Sequence, residues 1–209
     1  MKLKKKAKRI LIILLIIILA VIIGFFVLKK GTSKKDTPKE AKIVNEVDKY
    51  DYKLKETKPS KYKEMFKELK EILKEEPVDE EKYVQKISEM FIYDFYSLND
   101  KTAKTDVGGV EFVYPGVLDN FLENAQNTYY KYVENNIYNN RKQSLPVVSN
   151  INIESVTKEP FAYNDKTDEE AYKVVVTWSY TDDEFSSYQK NATLIFIHED
   201  IKLYLVELQ

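Results

Sequence analysis

The sequence predicts an α+β chain: an N-terminal transmembrane helix, then about three helices packed on a curled four-stranded antiparallel sheet. Three observations carry that prediction. Ile10 to Leu28 is an unbroken run of 19 apolar residues. Between residues 60 and 133 apolar side chains recur at the spacing of amphipathic helices. Beyond Asn140 they recur at alternate residues, the pattern of half-buried strands.

A 19-residue helix rises about 28 Å, close to the roughly 30 Å hydrocarbon core of a bilayer. The run has no polar face, is long for a secretory signal, and is followed by no small-x-small cleavage site. The chain has no cysteine to carry a lipid. Residues 10–28 therefore read as a retained single-pass signal-anchor. Six Lys/Arg crowd into Lys2–Arg9, and Lys29, Lys30, Lys34 and Lys35 follow the span. By the positive-inside rule residues 1–9 form a cytoplasmic tail and the large C-terminal domain is extracytoplasmic, at the cell membrane. Residues 29–58, polar and interrupted by Pro38, read as a tether. Within it Tyr50, Tyr52 and Leu54 alternate with charges, as in a short edge strand or a linker.

The domain proper reads as 59–209. Its first helix begins at Ser60 as N-cap, with Glu64 in the first turn, and carries Tyr62, Met65, Phe66, Leu69, Ile72 and Leu73 on one face. Pro77 ends it. Asp79 caps a second helix whose first turn holds Glu80 and Glu81, favourable against the helix dipole. Its stripe is Tyr83, Val84, Ile87, Met90, Phe91 and Phe95. A third helix after Pro115-Gly116 is expected to bury Leu118, Phe121, Leu122, Ala125, Tyr129, Tyr132 and Val133.

Four strands follow, at 147–156, 171–181, 188–198 and 201–208. A turn around Asp182–Ser187 pairs Trp178 with Lys190, Val176 with Ala192 and Val174 with Leu194. A two-residue turn at Glu199-Asp200 pairs His198 with Ile201, Phe196 with Leu203 and Leu194 with Leu205. Apart from Lys190, both registers put apolar residues on one face, so the strands form a meander that packs on the helices.

Three of the five glycines lie in "KTDVGGVEFVYPGVLDNF" (104–121). A phosphate-gripping loop needs a helix N-terminus directly after its glycines and a Lys or Ser/Thr to finish the contact. Here Gly108-Gly109 leads into apolar "VEFVY", and Val117-Leu118 stands where a polar group is wanted. The stretch reads as two turns, with positive φ at Gly108 and Gly109 and a type II turn in "YPGV".

Composition narrows function. Residues 1–35 hold ten Lys/Arg and no acid, and the other 174 residues hold 23 basic and 34 acidic side chains, a net charge of −11. So acidic a domain has no footprint for nucleic acid. Without cysteine, and with His198 as the one histidine, thiolate and multi-histidine metal sites are excluded. No catalytic residue, metal or cofactor is expected. His198 reads as a structural strand-end residue lacking a carboxylate orienter, since Glu199 and Asp200 turn away. The acidic turns at 164–170 and 181–184 lack calcium-loop spacing. Arg141 is expected to pair with an acid, and Trp178 to lie in the core. Lys, Ile, Asn and Tyr are abundant and arginine is limited to Arg9 and Arg141, a bias of A/T-rich codons that points to a low-GC bacterium.

An anchor, a tether, successive helices and then a curled four-strand sheet resembles the NTF2-like (cystatin-like) superfamily. Within it the layout is similar to VirB8-type subunits of type IV secretion and conjugation machines. The segments "DFYSLNDK…DVGG…FVYP" also resemble anchored proteins of low-GC Gram-positive bacteria, for which no function is implied. The VirB8 resemblance implies a non-enzymatic scaffold that self-associates and docks other membrane subunits. NTF2-like folds also host ketosteroid-isomerase-like enzymes, which need an acid and a tyrosine facing each other in an apolar pocket.

The leading expectation is a membrane-anchored extracytoplasmic interaction or assembly domain, with protein partners or a homo-oligomer. Its surface is expected on the third helix, where Tyr130, Asn135 and Asn136 fall off the buried stripe, or along an uncovered sheet edge. The alternatives are a ligand-binding or sensory domain using a cavity between sheet and helices, and a small isomerase or lyase.

Overall fold

A computed structural model describes residues 41–209. The tail 1–9, the anchor Ile10–Leu28 and residues 29–40 of the tether lie outside the described residues. Among the described residues, no helix is long and apolar enough to cross a membrane.

The folded unit begins at Ala41, earlier than the tether reading placed it. Strands β1 (Ile43–Val47) and β2 (Tyr52–Lys55) pair as an antiparallel hairpin. Alternation decides its role: Tyr52 and Leu54 point inward, and Tyr50, in the connecting 3-10 turn, joins them in the core. The Tyr52 and Tyr83 hydroxyls meet at 2.7 Å, which ties the hairpin to the helices.

Helices α1 (Ser60–Ile72) and α2 (Glu80–Tyr96) pack on each other. Pro59, not Ser60, is the α1 N-cap, so Ser60 is its first helical residue. Asp79 does cap α2, accepting the Lys82 N–H at 3.1 Å. The face of α2 read from spacing is buried, and so are Ile92, Tyr93, Asp94 and Tyr96. The C-terminal half of α2 is surrounded on every side, which makes it the axis of the domain.

The sheet runs β3-β4-β5-β6, all antiparallel, from β3 (Val148–Tyr163), β4 (Lys166–Tyr180), β5 (Asn191–Glu199) and β6 (Lys202–Leu208). The β4/β5 register is the one expected, Val176 opposite Ala192 and Val174 opposite Leu194. The β5/β6 register differs by two residues near the turn, where His198 faces Leu203 and Phe196 faces Leu205, and by three beyond a bulge between Ile195 and Phe196, where Leu194 faces Leu208 rather than Leu205. A two-residue slip keeps side chains on their face, and Leu194, Phe196, Leu203 and Leu205 stay in the core. Asp200 adopts φ 55° and Ile201 is left exposed in the turn.

The β3/β4 hairpin is longer than expected. Residues 157–163 and 166–170 are strand rather than loop, joined through Asn164 at φ 50°. Charges on both faces hide this extension, because few of its side chains are covered. Pro160 is accommodated because β3 is an edge strand and the register breaks between Glu159 and Phe161.

Side chains from both layers fill the core. Trp178 of β4 is 5% exposed and its ring lies 4.3 Å from that of Tyr96. Phe91, Phe95 and Phe121 form a second stack, with centroids 5.3–6.0 Å apart.

Candidate functional site

The glycine stretch is a clamp on α2. The Asp94 carboxylate accepts the Gly109 N–H at 2.7 Å, Lys58 at 2.6 Å and Lys101 at 2.8 Å. Burial alone would raise the Asp94 carboxyl, but the Lys101 and Lys58 ammonium groups outweigh it and hold it well below the usual carboxylate range. The Tyr130 hydroxyl accepts the Gly108 N–H at 3.0 Å and donates to the Phe95 carbonyl at 2.7 Å. Gly109 takes φ 72°, whereas Gly108 is required by proximity: a Cβ there would sit 2.0 Å from the Asp94 carbonyl. Gly116 has no positive φ, so Pro115–Val117 forms a 3-10 turn instead of the type II turn expected.

That clamp corrects the expected interaction surface. Tyr130 is fully buried. Helix α3 (Leu118–Asn127) stops three residues earlier, and the turn that follows rotates Tyr130 inward, where a continued helix would have pointed it out. Asn135 is exposed and Asn136 half-buried, and both support their own loop. Asn135 accepts the Ile137 N–H at 2.9 Å, and Asn136 accepts the Arg141 N–H at 3.0 Å. Tyr132, expected in the core, is 75% exposed, and Ile137 and Tyr138 are exposed as well. Among the described residues Arg141 pairs with no acid; it donates to the carbonyls of Lys101 and Asn99 at 2.8 and 2.7 Å.

His198 has the orienter that the sequence seemed to lack. Asp168, thirty residues upstream on β4, meets Nδ1 at 2.8 Å and also accepts the His198 N–H. On the other side Nε2 faces Glu80 at 3.6 Å, and Glu80 accepts the Tyr172 hydroxyl at 3.0 Å. Both ring nitrogens face carboxylates, so the imidazole pins the start of α2 to the sheet. Tyr62 and Glu111 also face each other, with burial raising the Glu111 carboxyl. Neither lines the cleft beside α3.

That cleft is the candidate site. It is a half-open groove of about 460 Å³ between α3 and the free edge of β6. Its floor is Phe95, Tyr96, Phe121, Tyr129 and Leu205, and Asn120, Asn124, Thr128, Gln189 and Glu207 stand around it. The groove exists because α3 is lightly seated: of its ten residues only Ala125 is fully buried. Val113 pairs parallel with Leu205, and the Tyr114 N–H reaches the Leu205 carbonyl at 2.8 Å. The chain then leaves at Pro115, which cannot donate a further bond. Beyond that point no described residue pairs with the β6 edge.

The sequence anticipated an uncovered sheet edge but not this one, because the stop of α3 and its stand-off from the sheet have no local signature. Comparison with protein-family models, with characterised proteins and with solved structures gives no match to this chain.

Proposed function

We propose that this chain is a membrane-anchored extracytoplasmic interaction domain of NTF2-like architecture, working as an assembly or scaffold subunit of the VirB8 type. One observation carries the reading. The space between α2 and the sheet is filled by aromatic side chains, while apolar side chains line the groove and Tyr132, Ile137 and Tyr138 are among the exposed ones. A filled interior with exposed apolar surface suits contact with another macromolecule. The 19-residue apolar run supports the anchor. Anchoring confines copies and partners to one plane, which raises their effective concentration.

A second reading, a ligand-binding or sensory domain, is favoured by the groove itself. Its volume falls in the range of small-molecule clefts, about 300–1,000 Å³.

Crosslinking the full chain in native membranes separates the two. The interaction reading expects a homodimer or a few defined partners, altered by Tyr138→Ser or by changes in the groove and unaffected by His198→Ala. A monomer that co-purifies with a small molecule overturns it in favour of the second.

A further inference from the structure

We propose that the groove between α3 and β6 accepts a single extended peptide segment by strand addition, with an apolar side chain in the aromatic floor and a lysine or arginine beside Glu207. This rests on the interaction reading and names its site and the chemistry of the partner.

Backbone geometry comes first. Gln209 exchanges both hydrogen bonds with Thr193, at 2.9 and 3.0 Å. In an antiparallel ladder the next residue turns its groups the other way, so the N–H and C=O of Leu208 point away from β5 into the groove. Among the described residues neither group has a partner, so an incoming strand finds a donor and an acceptor there. The protein's own chain already uses this edge, since Val113–Tyr114 pairs with Leu205 before Pro115 diverts it. A peptide would continue that short strand along Val206–Gln209, about 13 Å of edge.

The opposite wall decides what kind of chain fits. Because α3 faces the edge, one strand can lie between them. The sheet of a second folded copy would bring its own layers against the helix. Phe95, Phe121 and Leu205 form an apolar floor for alternate side chains, and Asn120 and Asn124, one turn apart on α3, offer amide groups beside the peptide.

Charge supplies the third argument. Among the described residues Glu207 is the one charged side chain of the lining, and no lysine or arginine contributes to it. Asp119 and Glu123 add negative charge on α3, which has no basic residue. A basic peptide is favoured over an acidic one.

The probe is a capped heptapeptide of alternating valine and lysine, added to the purified full chain in lipid nanodiscs. Saturable binding is expected with a Kd of about 1 mM or tighter, together with slowed hydrogen exchange at the Leu208 amide. Leu208→Pro removes a donor the internal ladder does not use and should weaken binding about tenfold, the weight of one hydrogen bond. Asn124→Trp, at an exposed position of α3, should block the groove while leaving thermal unfolding unchanged. The glutamate-for-lysine peptide should bind more weakly than the lysine one. Absence of saturable binding, an unprotected Leu208 amide with peptide bound, or undiminished binding to both variants overturns the proposal.

A photocrosslinker placed in turn at Asn124 and at Tyr138 in native membranes separates this proposal from the reading beneath it. Partners captured through Tyr138 and never through Asn124 sink the peptide groove and leave the interaction domain standing. Peptide binding by the pure chain with no capture at either position does the reverse.

Discussion

Lys101 reaches Asp94 at 2.8 Å, with 3% and 4% of the two side chains exposed. The same carboxylate holds the Gly109 N–H and Lys58, so one buried anion fastens the loop after α2 back onto α2. The segments "DFYSLNDK" and "DVGG" therefore meet at one point.

Lys101→Met should cost about 3 kcal/mol in urea unfolding, the lower end for a broken buried pair because Lys58 remains. The pH dependence has a definite sign. The folded Asp94 carboxyl lies below its unfolded value of about 4, so its stabilisation is full above that pH and is lost as pH falls through the lower folded value. Asp94→Asn should remove that acid-sensitive component. A variant as acid-sensitive as the wild type would show that other carboxylates carry the effect.

Gly109→Ala places a Cβ at φ 72° and 2.6 Å from the Phe91 ring. It should destabilise by more than about 1 kcal/mol, through strain and overpacking together. Peptide binding in the groove, measured below the unfolding transition, should be unchanged. Lost binding at unchanged stability would return the glycine stretch to a ligand-gripping role.

Trp178→Ala should cost about 3–5 kcal/mol, since it empties the space against Tyr96 at the centre of the helix–sheet interface. Trp178→Phe should cost much less, because the buried indole N–H has no hydrogen-bond partner among the described residues. A loss below about 1 kcal/mol for the alanine variant would contradict the burial of this residue.

Topology is testable on wall-stripped cells. Protease added outside should degrade the C-terminal domain, as expected from Lys2–Arg9 on the inner side of the apolar run. Full protection of the domain would place it in the cytoplasm.

Local pattern determined much of this protein. The burial stripes of α1 and α2 follow from 3.6-residue spacing, the Asp79 cap from its residue type, and the β4/β5 register from two apolar alternations that agree. The four-strand order follows from short turns. Tertiary structure decided what local spacing cannot encode. Tyr50, Tyr52 and Leu54 look like linker until Tyr83 and Phe112 pack against them. Tyr130 reads as surface on a helical wheel, but α3 stops at Asn127 and the wheel no longer applies. The orienter of His198 is hidden in the sequence because Asp168 lies thirty residues away and strand pairing brings it near. The groove follows the same rule. Neither α3 nor β6 carries a signal for it, since a cleft is set by how far two elements stand apart, and long-range packing fixes that distance.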